Sequence, residues 1–223
     1  HPAWRGEIDR DALVLYARHG YVPAPYSIWR GVAKLAPGCT AQFAAGDAEP
    51  QVAPYWSALE VALAGVAQPR RGAESELVDE LDALLRRAVR GQMVADVPLG
   101  AFLSGGIDSS TVVALMQAQS LRPIRTFTIG FDEAEYNEAD HARAVACHLG
   151  TDHTELTVTP EQAQAVIPRL PDLYCEPFAD ASQIPTFLVT QLARQHVAVA
   201  LSGDAGDELF GGDVHAEVDD LET

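Results

Sequence analysis

An α/β fold, a parallel sheet with flanking helices, is predicted by three observations. Between residues 97 and 201, short apolar runs alternate with helical stretches. Successive runs begin about 25–45 residues apart, which is the spacing of βαβ units. The first run, 97–103, reads as a buried strand and opens directly into a Ser/Gly loop.

The elements follow in order. Residues 10–19 have helical spacing and stop at Gly20, after which Val22-Pro23-Ala24-Pro25 forces extended or turn backbone. Two short strands are expected around 28–35 and 40–43, separated by Ala36-Pro37-Gly38, as at the edge of a β-containing domain. A boundary is expected at Pro54-Tyr55-Trp56, ahead of an Ala/Gly-rich stretch over 58–72. Leu77, Leu81, Leu84, Leu85 and Ala88 then form an apolar stripe at i, i+4, i+7, i+8 and i+11. The first turn of that helix is acidic (Glu74, Glu76, Asp79) and its last turn basic (Arg86, Arg87, Arg90), matching the helix dipole, with Gly91 as the stop. Beyond strand 97–103 come a helix over 108–118, a strand over 125–131, and a helix over 137–149 stopped by Gly150. A strand over 153–158, a proline-broken helical stretch over 161–174, a helix over 182–195 and a fourth strand over 197–201 complete the series.

Charge sharpens the division and removes several functions. The 223 residues carry 15 basic and 32 acidic side chains, net −17. Residues 1–56 hold five of each, so the whole excess lies in 57–223. A general nucleic-acid binder or a binder of anionic membranes needs the opposite sign. Lys34 is the only lysine, which excludes a lysine-dependent phosphate loop. Cys39, Cys147 and Cys175 are scattered, with neither disulfide-framework nor metal-ligand spacing. No apolar run approaches the roughly 20 residues of a spanning helix. The start, His1-Pro2-Ala3-Trp4-Arg5, lacks an initiator Met and a signal-peptide core. The expectation is a soluble, reduced, cytoplasmic protein and a piece of a longer one.

The loop after the first strand, Ser104-Gly105-Gly106-Ile107-Asp108-Ser109-Ser110, lies where ligands bind in open parallel sheets. Two glycines let backbone N–H groups converge, and the helix start adds free donors and positive dipole. The hydroxyls of Ser104, Ser109 and Ser110 can donate to phosphate oxygens. Asp108 would repel phosphates unless a cation sits between, which argues for Mg²⁺ held jointly with a polyphosphate. The plainer alternative is a Gly/Ser turn with Asp108 capping the helix. At the fourth strand, Leu201-Ser202-Gly203-Asp204-Ala205-Gly206-Asp207-Glu208 repeats the arrangement of apolar strand, small residues and carboxylates. Its plainer alternative is a solvated loop and cap. His141, His148 and His153 have no metal-ligand spacing, Met93 and Met116 read as core or filler, and 213–222 reads as an acidic, solvated tail.

Leu103 to Ser110 resembles the pyrophosphate loop of the ATP pyrophosphatases, which cleave ATP between the α and β phosphates. The wider resemblance is to glutamine-dependent asparagine synthetases. It runs through Thr126-Phe127-Thr128-Ile129-Gly130-Phe131, Tyr136-Asn137-Glu138 and His148-Leu149-Gly150-Thr151-Asp152-His153. It continues through Glu176-Pro177-Phe178-Ala179-Asp180 and the run from Leu201 to Gly212. Upstream, Gly20 to Pro25 and Lys34 to Gly38 resemble the tail of that family's glutaminase domain. The resemblance implies an adenine nucleotide α-hydrolase-like sheet in 57–223, preceded in 1–56 by the β-rich tail of an N-terminal nucleophile glutaminase domain. It implies ATP and Mg²⁺, with Asp108 and Asp207 as metal ligands and Asp204 at the position linked to formation of the acyl-adenylate. Leu103, Ile129, Ser202 and Gly203 match positions lining the adenosine pocket, Leu103 and Ile129 as apolar walls. Ser104, Gly105, Gly106, Asp108, Ser109 and Ser110 form the phosphate cradle.

The implied reaction joins ATP and an aspartate side-chain carboxylate to give β-aspartyl-AMP and pyrophosphate. Ammonia from glutamine then displaces AMP to give asparagine. The partners implied are these small molecules, with no nucleic acid and no membrane, and a homodimer is compatible with the longer chain. This sequence departs from the family pattern in three places. There is no N-terminal cysteine nucleophile, no lysine after Lys34, and a different continuation after Gly212. The expectation is a fragment that does not make asparagine alone. Two alternatives stay open: a relative amidating a sugar acid, peptide or β-lactam precursor, and a non-catalytic nucleotide-binding scaffold.

Overall fold

The computed structural model describes residues 4–46, 49–131 and 138–210. Expectations falling on Tyr136, Asn137, Gly211, Gly212 and the tail 213–223 lie outside the described residues. In chain order the elements begin with α1 (Arg10–His19), β1 (Cys39–Gln42), β2 (Gln51–Pro54), α2 (Ala58–Ala67) and α3 (Glu74–Gln92). There follow β3 (Leu99–Phe102), α4 (Ile107–Gln117), β4 (Arg125–Phe131), α5 (Ala139–Leu149) and β5 (Asp152–Val158). The last are α6 (Pro160–Gln164), α7 (Leu170–Leu173), α8 (Gln183–Ala193), β6 (Val199–Leu201) and α9 (Gly206–Phe210). The chain forms two compact units, one from residues 1–77 and 168–181, the other from 78–167 and 182–223.

In the first unit, α1 starts at Asp9, whose carboxylate accepts from the N–H groups of Asp11 (2.9 Å) and Ala12 (3.3 Å). It ends at Gly20 in the left-handed region, φ 76°. The strand expected over 28–35 does not form. Trp29 makes a single antiparallel bridge to Ile8, and the chain turns at once, Val32 N–H donating to Trp29 carbonyl (3.2 Å) with Gly31 at φ 71°. A left-handed residue there breaks any extended run. The partner of β1 is instead β2, in an antiparallel hairpin pairing Cys39 with Pro54 through Gln42 with Gln51. The Ala-rich part of 58–72 is helical, as its composition favours, and starts at Ser57, whose hydroxyl accepts from Glu60 N–H (3.3 Å).

The proline-broken stretch divides into α6, a 3₁₀ turn over Ile167–Arg169, and α7. Beyond α7 the segment 175–179 is tied into the first unit. Trp29 Nε1 donates to Cys175 carbonyl (2.8 Å), Ile28 N–H to the Glu176 carboxylate (3.2 Å), and Ala179 N–H to Gly20 carbonyl (2.6 Å). Lys34 pairs with Glu176 and also donates to Val22 carbonyl.

The second unit carries a four-stranded, wholly parallel sheet of order β5-β4-β3-β6. Ala101, Leu103, Val113, Met116, Ala142 and Ala146 fill the face covered by α4 and α5. Phe127, Leu192, Ala193 and Val197 fill the face covered by α8. Helices on both faces explain why β3 and β6, the strands that carry the two loops, read as continuous apolar runs.

Two expectations for α3 are corrected. The helix passes through Gly91 to Gln92, with Met93 N–H still bonded to Val89 carbonyl (3.0 Å). A glycine within a helix costs only about 1 kcal/mol, too little to end a long one. Its packed seam is Leu85, Val89 and Met93, at i, i+4 and i+8, while Leu81 and Leu84 stay 39% and 45% exposed. Of the predicted stripe, Leu85 joins the seam, while Leu81, Leu84 and Ala88 are exposed.

His153 on β5 shares a hydrogen bond between Nδ1 and the Thr126 hydroxyl (2.9 Å), and its Nε2 is buried with no partner among the described residues. Burial penalises the imidazolium and holds the pKa below the ordinary 6.5, with Glu155 opposing the shift and Arg143 adding to it. As pH falls below 6.5 the unfolded chain takes up this proton before the folded one does. Stability present above 6.5 is then lost as pH falls through the lowered pKa. Thermal melts between pH 7.5 and 5 should therefore show a shallower acid-side fall for His153→Gln than for the parent. Equal slopes would dismiss the effect.

Candidate nucleotide site

The site begins where β3 ends. Leu103 is 1% exposed, its N–H donates to Phe127 carbonyl (3.0 Å), and its carbonyl accepts from the buried Thr128 hydroxyl. With both backbone groups engaged and the side chain in the core, Leu103 is a floor beneath the loop. Thr128 is a determinant that sequence reasoning missed, and the only signal was a hydroxyl that this strand carries twice, at Thr126 and Thr128.

The loop is braced by its own serines. The Ser104 and Ser109 hydroxyls lie 2.8 Å apart, Ser104 N–H donates to Ser109 Oγ (3.2 Å), and Gly106 N–H donates to Ser104 Oγ (3.2 Å). Ser109 Oγ also reaches Gly106 carbonyl (3.3 Å). These two hydroxyls therefore shape the loop before they could serve a ligand. Ser110 differs: its Oγ is buried and has no hydrogen-bond partner among the described residues. An orphaned hydroxyl in such a place costs stability unless a ligand satisfies it.

Gly106 is the N-cap of α4, so Asp108 falls in the first turn and does not cap the helix. The plainer reading of Asp108 is thereby removed. The first-turn N–H groups of α4 face out as donors, with the positive end of the helix behind them. Gly105, at φ 87°, allows the loop to touch α5: a Cβ there would fall 2.7 Å from Ala142 N and from His141 Cβ. His141 and Ala142 gave no sequence signal for this role.

The second loop closes on the first. β3 and β6 are adjacent, Ala101 pairing with Leu201, so Ser202 and Gly203 leave the sheet beside Leu103. A Cβ on Gly203 would lie 2.7 Å from Ser109 N and 2.8 Å from the Asp108 carbonyl carbon. A Cβ on Gly206 would lie 2.3 Å from the Asp108 carboxylate. Between them Ala205 takes φ 70°, and Gly206 N–H returns to Gly203 carbonyl (3.2 Å). Asp108 is thus packed against the backbone just before Asp207, and Asp204, Asp207 and Glu208 are exposed around it. Ile129 is half-buried on β4, two strands from Gly203.

No group of three or more His, Cys, Asp or Glu side chains among the described residues is arranged to hold a metal by itself. The donor set still fits Mg²⁺, which takes one or two carboxylates and completes its shell with phosphate oxygens and water. Asp108 and Asp207 are the residues that would hold it. A cradle that a Cβ would fill, an orphaned Ser110 hydroxyl and outward N–H groups also suit a pyrophosphate.

Among the described residues, no helix is long and apolar enough to cross a membrane. Comparison with known proteins agrees with the geometry. Residues 80–218 match the family model described as asparagine synthase. The asparagine synthetase [glutamine-hydrolyzing] 1 of Bacillus subtilis is 36% identical over 208 residues, 92% of this chain and 31% of that protein. A relative from Methanocaldococcus jannaschii is 38% identical over 206 residues, 92% of this chain and 38% of its own length. The human asparagine synthetase [glutamine-hydrolyzing] is 32% identical over 154 residues, 65% of this chain and 27% of that protein. This chain therefore spans less than two-fifths of the length of the curated relatives named here. A likeness to a solved NMN synthetase from Francisella tularensis, TM-score 0.40 and 16% identity over 61% of this chain and 57% of that one, is too slight to argue from. With the family model matched over most of its length and relatives aligned over nine-tenths of it, the chain belongs to the asparagine synthase family.

Proposed function

We propose that this chain carries the ATP-binding part of a glutamine-hydrolysing asparagine synthetase. On this reading 57–223 is the N-terminal part of the synthetase domain and 1–56 the tail of the glutaminase domain. The single observation that carries the reading is the seating of the Asp108 carboxylate against Gly206, one residue before Asp207, under the open first turn of α4.

The N–H groups of Gly105 and of Ile107 through Ser109 would hold the β and γ phosphates, and Ser110 would donate its unpartnered hydroxyl. Bound Mg²⁺, held by Asp108 and Asp207, would supply charge neutralisation at the departing pyrophosphate. Ile129 on β4 and the backbone of Ser202 and Gly203 would flank the adenosine. Asp204, exposed at the mouth, would act on the carboxylate that attacks the α-phosphorus. Holding the two reactants in line is the main contribution a rigid loop on a rigid sheet can make. Ammonia would arrive from the glutaminase half of the longer protein. The carboxylate acceptor would be aspartate, whose amidation gives the asparagine of the relatives' names. The reduced, cytoplasmic setting and a homodimer of the longer protein belong to the same proposal.

Calorimetric titration of the chain with Mg·ATP tests the reading. Saturable binding is expected, and Asp108→Ala should weaken it by at least about tenfold, as for loss of one charge-assisted metal contact. Binding that Asp108→Ala leaves intact, or none to the folded chain, would overturn it.

A further inference from the structure

The second unit holds another concavity at the opposite ends of its strands. An open groove of about 800 Å³ runs along the amino ends of β3, β4 and β5. Leu99, Arg125 and Asp152, the first residues of these strands, line it together with Pro98, Arg122 and Ile124 from the preceding segments. The strands are four to seven residues long, so roughly 13–23 Å of sheet separates this groove from the loop at residues 104–106.

Its charges are few and well placed. The register sets Arg125 beside Gly100 on one side and Asp152 on the other. Arg125 Nη1 donates to His196 carbonyl (2.7 Å), which fixes the guanidinium, while its Nε stays 3.8 Å from the Asp152 carboxylate. That distance gives attraction without a hydrogen bond, so both groups keep most of their bonding capacity. Arg122 has its backbone fixed at three points. Its carbonyl accepts from Gln117 Nε2 (3.3 Å) and Ser120 Oγ (2.8 Å), and its N–H donates to Ser120 Oγ (3.2 Å). Its guanidinium has no ion pair or hydrogen bond among the described residues. In a chain with 32 acidic side chains, an arginine left unpaired on an ordered loop is available to a ligand.

We propose that this groove binds an acidic α-amino acid as its zwitterion, the two carboxylates on Arg122 and Arg125 and the ammonium on Asp152. The charge count selects the class. Two guanidinium groups and one carboxylate are balanced by two carboxylates and one ammonium. A simple dianion meets repulsion from Asp152, and a neutral amino acid leaves one arginine unmatched. Pro98, Leu99 and Ile124 give the ligand's carbon chain an apolar bed.

The test is titration of the chain with L-aspartate and L-glutamate, using succinate and glycine as probes lacking the ammonium and the second carboxylate. Saturable binding is expected with Kd on the order of 1 mM. Amide shifts in a ¹H–¹⁵N spectrum should centre on Leu99, Arg125 and Asp152. Arg122→Gln, an exposed change, should weaken binding at least about tenfold, and Asp152→Asn should erase the preference for aspartate over succinate. Asp108→Ala should leave this binding unchanged, which separates it from the nucleotide proposal. Binding lost in Asp108→Ala, retained in folded Arg122→Gln, equal for succinate and aspartate, or absent for both amino acids would overturn the assignment.

Discussion

Gly105→Ala is expected to abolish Mg·ATP binding and to lower unfolding stability by roughly 2–5 kcal/mol. The magnitude has two sources. An alanine at φ 87° lies in the left-handed region, at about 1–2 kcal/mol. Its methyl would meet Ala142 N and His141 Cβ at 2.7 Å, and neither can give way without moving the first turn of α5, an overpacking cost of about 1–3 kcal/mol. Any relief must come from displacing the loop, which pulls Ser104 from Ser109 and misaims the first N–H groups of α4. Gly106→Ala is the matched control. Its backbone is ordinary, φ −68°, and the nearest atom to a new Cβ is the Ser104 hydroxyl at 3.3 Å. That variant should lose about 1 kcal/mol or less, through a poorer N-cap. Urea melts of both variants, with Mg·ATP titrations beside them, decide the matter. Equal stability of the two would mean that the loop does not press on α5 as described.

The same loop separates what a sequence can carry from what it cannot. The strand at 97–103, the Ser/Gly run and the helix after it are local facts, legible because apolar periodicity and glycine placement act over a few residues. β4 at 125–131 is legible for the same reason, following Pro123 and buried on both faces. The strand expected at 28–35 fails because its residues favour extension, while the chain turns at Gly31 just after Trp29 bridges to Ile8, 21 residues earlier. The stripe on α3 failed differently. Leu81 and Leu84 are as apolar as Leu85, and only the position of the sheet decides that Leu85, Val89 and Met93 face it. At the site, carboxylates and glycines could be named in advance. Which atoms they touch could not, since the fit of Gly206 against Asp108 depends on two loops about a hundred residues apart. The bonds of Glu176 to Ile28 and Lys34 are legible only in the fold, because no local pattern marks a pairing across 148 residues.

Phe127→Ala should be the most destabilising side-chain truncation in the sheet, by about 3–5 kcal/mol, yet it should spare the chemistry of the loop. Phe127 is 1% exposed on β4 and packs with Leu192, Ala193 and Val197. Its ring also fills the notch over Gly100 of β3, where a Cβ would stand 2.7 Å away. Truncation leaves a cavity between the strand and α8, and the cost of that cavity adds to the lost burial of the ring. Against a typical total of 5–15 kcal/mol, such a loss leaves a domain close to its unfolding threshold. The ring lies on the face covered by α8, whereas the loop rides on α4 across the sheet, and the Phe127 carbonyl that accepts from Leu103 N–H is untouched by the substitution. Mg·ATP affinity measured at low temperature, where the variant is still folded, should therefore match the parent within about twofold once the folded fraction is counted. Gly105→Ala predicts the converse, with binding lost even in the fraction that remains folded. If Phe127→Ala removed binding from folded protein, the two faces of the sheet would be coupled, and the site could not be treated as a loop mounted on a passive scaffold.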